Sequence, residues 1–250
     1  MVSTQSNWYV RFGCLAPIIG IFSLFYFINR DAFLPGFVFF GLFFGFAVIF
    51  LILSTRAEEK VKAKQLEHLE TYKPTNSRFE ESHSFVSDDL MSKIAIDEKN
   101  RRLYFWEPTP LVDGTRVKKA FLKMPYVLSD YSYDQLLAYE IYENGIRKQT
   151  FVKVAEGTED RIEALGQSVE PIIDKKMSLT RKTILRKIAT IEMKIILDNE
   201  EKPVQIIRFY SSLDKRLKKD SPDYIAIQRK VDQWVSLLTF ILELDNKRIY

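Results

Sequence analysis

One cysteine, two histidines and nine glycines in 250 residues leave little material for chemistry. The lone cysteine, Cys14, rules out an intramolecular disulfide and a thiolate-rich metal site. His68 and His83 stand without a Ser, Cys or carboxylate partner at motif spacing, so neither a nucleophilic triad nor a His-based metal cluster is expected. Asp88-Asp89 by itself is a weak oxygen site. The glycines are scattered and none precedes a Lys-Ser/Thr pair, which removes a phosphate-cradling loop. Catalytic, cofactor-binding and metal-ligating residues are therefore each predicted to be none, and the chain is read as a non-enzyme without cofactor or evident small-molecule substrate. The net charge of +4 is modest for this length, so bulk affinity for nucleic acid is not implied.

Charge is missing altogether from two long apolar runs, Phe12 to Ile28 and Phe33 to Leu53. Their lengths bracket the roughly 20 residues that a helix needs to cross the hydrocarbon of a bilayer. In lipid a backbone must satisfy itself, so both runs are predicted to be helical, with Asn29, Arg30, Asp31 and the Pro35-Gly36 pair marking the turn of a transmembrane hairpin. A cleaved signal peptide is the rival for the first run, but no small-residue cleavage site follows and the second run begins almost at once. Trp8, Tyr9 and Tyr26 fall near the span ends, where amphipathic rings favour the headgroup level. Arg56, Lys60, Lys62 and Lys64 follow the second run while the short loop holds Arg30 beside Asp31; both termini are predicted to be cytoplasmic, in a multi-pass protein of the cell membrane. The spans carry no ionisable residue, which argues against a transporter or channel. Cys14 reads as a small apolar packing residue or as an acylation target. Gly41 and Gly45 form a small-xxx-small pair and are the candidate helix-packing residues, either against the Gly13, Ala16 and Gly20 side of the first span or against a second copy in a homo-oligomer.

Three segments are expected: the hairpin at 1–53, a helical stalk and linker at 54–78, and a soluble domain at 79–250. In the stalk Glu58 and Lys62 are spaced as a helical ion pair, and Pro74 ends it. In the domain the hydrophobic period changes to short β-prone runs: Phe85-Val86, Lys93 to Ile96, Leu103 to Trp106, Lys118 to Val127, Gln135 to Tyr142, Ile146 to Val154, Thr190 to Leu197 and Val204 to Tyr210. Asn144-Gly145 is a hairpin signal, because both residues tolerate positive φ. The chain then enters a helix with a capping Ser221, Pro222 in its first turn, and Tyr224, Ile227, Val231, Trp234, Leu238 and Ile241 in one apolar stripe.

The stretches Phe85 to Asp89, Ile94 to Glu98, Tyr131 to Gly145 and Ser221 to Leu242 resemble bacterial pleckstrin-homology-like (PH-like) domains. The resemblance implies an α+β chain in which the transmembrane hairpin precedes a PH-like β-barrel or sandwich capped by a C-terminal α-helix, and it implies a binding-module habit without naming a ligand. This chain departs from that pattern in its charged insertion at about 155–187, where the family has a glycine-rich apolar segment.

Lys175, Lys176, Arg181, Lys182, Arg186 and Lys187 occur in that insertion with no intervening acid and are the candidate anionic-surface binding residues. Lys215, Arg216, Lys218 and Lys219 form a second cluster. The plain alternative is a solvated charged face. Lys99, Arg101 and Arg102 surround a turn where eukaryotic PH domains grip phosphoinositides, a comparison at the level of fold. No aromatics interleave the cations of the insertion, so nucleic acid is an unlikely partner. The function read from sequence is a membrane-anchored cytoplasmic binding or scaffolding module for a protein partner, without catalysis of its own. One alternative is contact with anionic lipid through 175–187; another is a membrane-active effector or an enzyme of a type with no recognisable motif.

Overall fold

The computed structural model describes residues 4–74, 79–109, 120–168, 187–212 and 216–246. It is an α+β chain in two compact units: one holds the first two helices together with residues 120–124, the other holds the strands and the C-terminal helix.

In the helical unit, α1 (Thr4–Ile28) and α2 (Phe33–Thr71) form an antiparallel pair. The turn is shorter than the sequence suggests. Pro35 and Gly36 lie within the first turn of α2, where a missing N–H has no helical partner to lose. On α2 the positions that meet α1 are Gly36, Phe40, Phe43, Ala47, Phe50 and Ser54, at steps of three and four, as in a coiled-coil seam. A Cβ added to Gly20 would meet the Phe43 Cβ at 3.1 Å, and one added to Gly36 would meet the Phe27 Cβ at 3.1 Å. Gly13 faces Phe50 and the Ala47 carbonyl in the same way. The expectation that Gly41 and Gly45 face the first span is corrected here: both fall off the three-four register, and nothing lies within 4 Å of a Cβ at either position. At the open end of the hairpin, the buried Ser6 hydroxyl donates to Glu58 Oε1 at 2.9 Å and lies 2.7 Å from the Ser54 hydroxyl.

Both helices are long and apolar enough to cross a membrane, yet only 17% and 11% of their most apolar stretches are buried. Phe22 is 71% exposed and Leu34 78%. A core helix of a water-soluble domain would be covered on most sides. α2 continues about 27 Å beyond Leu53 without a break. Near its end Gln65 is buried, and its Nε2 donates to the Met124 carbonyl at 3.5 Å.

The second unit contains two four-stranded antiparallel sheets. The first is a meander of β1 (His83–Val86), β2 (Lys93–Asp97), β3 (Arg102–Pro108) and β4 (Tyr126–Ser132). Of the expected strand at Lys118 to Val127, the described part is strand only at Tyr126 and Val127: residues 120–125 are turn and coil, and β4 starts after Pro125, which has no N–H to donate to a ladder. One 3-10 turn, Tyr133–Gln135, leads to the second sheet. That sheet has the order β6-β5-β8-β9, with β5 at Leu136–Glu143, β6 at Ile146–Val152, β8 at Thr190–Leu197 and β9 at Val204–Ser211. A short helix α3 (Thr158–Ala164) lies between β6 and a ribbon of β7 (Lys187–Ile188) and β10 (Leu217–Lys218). Ten strands are thus described where the sequence shows eight β-prone runs; the ribbon accounts for the other two.

The two sheets and α4 (Pro222–Asn246) enclose one core. Ser221 Oγ accepts from the Tyr224 N–H at 3.3 Å, and the α4 stripe of Val231, Trp234, Leu238 and Ile241 is buried against Ile94, Phe105, Tyr139, Ile195 and Phe209. Tyr224 and Ile227 pack at its margin. The Tyr139 hydroxyl is satisfied by Thr239 and the Val235 carbonyl, so a large aromatic enters the core without an orphan polar atom. On the outer side of the second sheet, Ile162 of α3 joins Leu137, Ala138 and Ile196 in a smaller cluster.

A side chain forced into the hairpin seam should be felt there and nowhere else along it. Gly20→Val and Gly36→Val are expected to destabilise the detergent-solubilised full chain by about 1–3 kcal/mol through overpacking, while Gly41→Val and Gly45→Val stay within about 0.5 kcal/mol. Thermal unfolding followed by circular dichroism separates the two pairs.

Candidate functional site

Of the six cations proposed for anionic contact, Lys187 is described; Lys175, Lys176, Arg181, Lys182 and Arg186 lie outside the described residues, as does Lys215. Lys187 opens β7 and stands directly opposite Lys218 of β10, with Ile188 opposite Leu217. Alternation along the ribbon sends Ile188 and Leu217 into the core and leaves Lys187 and Lys218 exposed. One described member of each cluster therefore faces the other. Like charges facing each other across a ladder repel, so the pair is held by its apolar neighbours and by the backbone around it.

Much of that backbone is held by one turn residue. Asn144 and Gly145 both have positive φ, +52° and +73°, and close the β5–β6 hairpin. The Asn144 side chain reaches across to β7: its Nδ2 donates to the Lys187 carbonyl at 3.1 Å, and its Oδ1 accepts from the N–H groups of Ala189 at 2.7 Å and Thr190 at 3.2 Å. The hairpin signal in the sequence thus also carries the basic ribbon.

Glu143, at the end of β5, is the acid among these cations. Its Oε1 accepts from the Tyr224 hydroxyl at 2.6 Å, and its Oε2 lies 3.7 Å from Lys219 Nζ and 3.8 Å from Lys148 Nζ. Arg216 is exposed beside the ribbon in sequence. Lys148, Lys187, Arg216, Lys218 and Lys219 thus contribute five cations against one buried carboxylate that is already engaged, although Asp220 follows in the next turn.

A second polar group on the same sheet has no forerunner in the sequence reading. Glu140, 0% exposed, accepts from Arg147 Nη1 at 2.7 Å and from the Tyr142 hydroxyl at 2.8 Å, with Lys194 Nζ 3.3 Å away. Farther along, Arg208 links Glu192 at 3.0 Å to Asp89 at 3.4 Å. These pairs run across strands β6, β5, β8 and β9, so they depend on register, which a linear sequence does not display. A buried carboxylate with this many donors is a structural clamp: breaking it would strand charge. His83 pairs with Glu98 at 3.3 Å, and among the described residues no three His, Cys, Asp or Glu side chains gather as a metal site.

Burial, reinforced by the Glu140 carboxylate, pushes the Tyr142 phenol up to about 12, and burial does the same to Tyr139. The Tyr224 phenol is also raised, first by burial and then by its bond to Glu143. In the unfolded chain a phenol ionises near 10. Folding therefore favours the neutral form, and the associated stability is complete below about pH 10 and lost as pH rises through about 12. Alkaline titration at the phenolate band should show a step near pH 12 that coincides with loss of the β-sheet dichroism, and Tyr142→Phe should shrink that step.

No family model matches this chain, and comparison with curated proteins and with solved structures found no match.

Proposed function

We propose that the chain is a membrane-anchored binding module: a helical hairpin spans the bilayer, both termini face the cytoplasm, and a PH-like domain is offered to a protein partner without chemistry of its own. The observation that carries the reading is the pair of apolar helices whose surface the rest of the chain leaves uncovered. Lipid is the solvent in which such a surface is stable. The cations after α2, Arg56, Lys60, Lys62 and Lys64, against a loop holding Arg30 and Asp31, support the orientation. Two antiparallel sheets closed by an amphipathic C-terminal helix, in that chain order, support the PH-like reading. Among the described residues β6 has a ladder only with β5 and is half-buried along most of its length, so it offers an edge to which a partner segment can add as a strand.

In spheroplasts expressing the full chain, protease added outside should leave the hydrophilic portion intact, and alkaline carbonate should not strip the protein from the membrane. Digestion of the β-strand unit from outside, or release by carbonate, defeats the reading.

A second reading is favoured by the in-register pair of Lys187 and Lys218, which an anionic surface would relieve. Each cation held within about a Debye length of such a leaflet contributes roughly 1 kcal/mol. For the full chain in proteoliposomes, acetylation of Lys187 and Lys218 should be slower with anionic than with neutral lipid, and salt should erase the difference. Equal rates in both lipids would reject lipid contact at the ribbon.

A further inference from the structure

The turn between β2 and β3 carries three cations, Lys99, Arg101 and Arg102, and the fold treats them differently. Lys99 Nζ pairs with Glu80 at 2.9 Å, and Arg102 pairs with Asp130 across the β3–β4 ladder. Arg101 has no carboxylate partner among the described residues. Its guanidinium lies over the Tyr133 ring, 5.7 Å from the centroid, and its Nη2 is buried without a hydrogen-bond acceptor. That one nitrogen gives up water without a hydrogen bond in return, and the ring face is the contact that the fold gives the cation.

The backbone at Arg101 is also unusual. Its φ is +54°, a region that favours glycine or asparagine over a residue with a long side chain. The turn is nevertheless well held. Asp97 accepts from the Asn100 N–H at 2.9 Å and the Asn100 side chain at 2.8 Å, the Arg101 N–H donates to the Glu98 carbonyl at 3.4 Å, and the Tyr133 N–H donates to the Arg101 carbonyl at 3.1 Å. The neighbours thus hold Arg101 in an uncommon conformation and fix where its side chain leaves the turn.

Arg101 opens into a cavity of about 390 Å³ between this turn and the last turns of α4. Leu237, Phe240, Ile241 and Leu244 form its helical wall, Ile96 and Tyr133 the opposite side, and Glu98 stands at the rim. Phe240 is 56% exposed, large for an aromatic that packing alone would place inside. Its volume falls within the range of small-molecule sites, about 300–1,000 Å³.

We propose that this groove binds an apolar chain ending in a carboxylate, of the class of a medium-length fatty acid, with the carboxylate on Arg101 and the hydrocarbon along Leu237, Phe240, Ile241 and Leu244. One cation without a carboxylate partner among the described residues matches one negative charge, and a guanidinium donates a charge-assisted hydrogen bond to a carboxylate. A phosphate with a second charge would face Glu98, and its usual cluster of cations is lacking because Lys99 and Arg102 are already paired. The site lies wholly within the β-strand unit and is independent of the orientation and partner proposed above.

The test uses the full chain in zwitterionic nanodiscs and a twelve-carbon fatty acid bearing a diazirine. Irradiation should attach the probe to the peptide containing Leu237 to Leu244. Excess dodecanoate should compete, and dodecanol, which lacks the carboxylate, should compete at least tenfold less well. Arg101→Gln should lower labelling of that peptide about tenfold or more, the loss expected for a charge-assisted hydrogen bond. Arg101→Glu should reverse the preference, losing dodecanoate and gaining dodecylammonium, an outcome that a merely unfolded variant cannot give. The proposal is overturned if adducts miss this peptide, if dodecanol competes as well as dodecanoate, or if labelling is unchanged in Arg101→Gln.

Discussion

Strand β5 is buried on both of its faces, and much of the β-strand unit is arranged to make that tolerable. A strand in that position must match every polar group it carries, since an unpaired one costs more than a typical hydrogen bond contributes. Tyr139 points into the core and finds Thr239 and the Val235 carbonyl on α4. Glu140 points the other way and takes Arg147, Lys194 and Tyr142. Leu137 and Ala138 are covered by Ile162 of α3, Glu143 receives Tyr224, and Asn144 just beyond the strand anchors β7. The helix cap, the outer salt bridges and the basic ribbon all refer back to this one strand.

The same bookkeeping has a different answer in the helical unit. There the close approach of two backbones at Gly13, Gly20 and Gly36 replaces large side-chain burial, and the Ser6, Ser54 and Glu58 cluster satisfies its own polar groups at one end. In lipid, packing of this kind supplies what the hydrophobic effect cannot, because the surroundings are as apolar as the side chains. The outward phenylalanines and leucines would need no partner within the chain in such surroundings.

What these two arrangements leave unsatisfied is where the proposals attach. Among the described residues of the β-strand unit, Lys187 faces Lys218, β6 has a ladder on one side, and Arg101 Nη2 is buried above an apolar groove without a hydrogen-bond acceptor, as Ser92 Oγ, Trp106 Nε1 and Thr150 Oγ1 are without a partner elsewhere. Lys99 and Arg102, which look equivalent to Arg101 in sequence, are neutralised by Glu80 and Asp130. Adjacent cations thus acquire different roles through partners up to thirty residues away. Counting charge in a turn would have merged them.

Local physics made several elements legible from residues alone. The two uncharged apolar runs could only be helices of membrane-crossing length, Asn144-Gly145 could only be a tight turn, and Ser221-Pro222 with the three-four stripe could only open an amphipathic helix, because each depends on neighbours within one or two turns of chain. Pro125 set the start of β4 by the same local logic, although the apolar residues before it obscured the signal. Register was not legible. Which helix face Gly41 and Gly45 occupy, which strand faces Glu140, that Lys187 meets Lys218, and that Arg101 lacks an acid among the described residues are decided by contacts between distant segments. Those contacts form only when the core closes, and no period or propensity along the chain encodes them by itself.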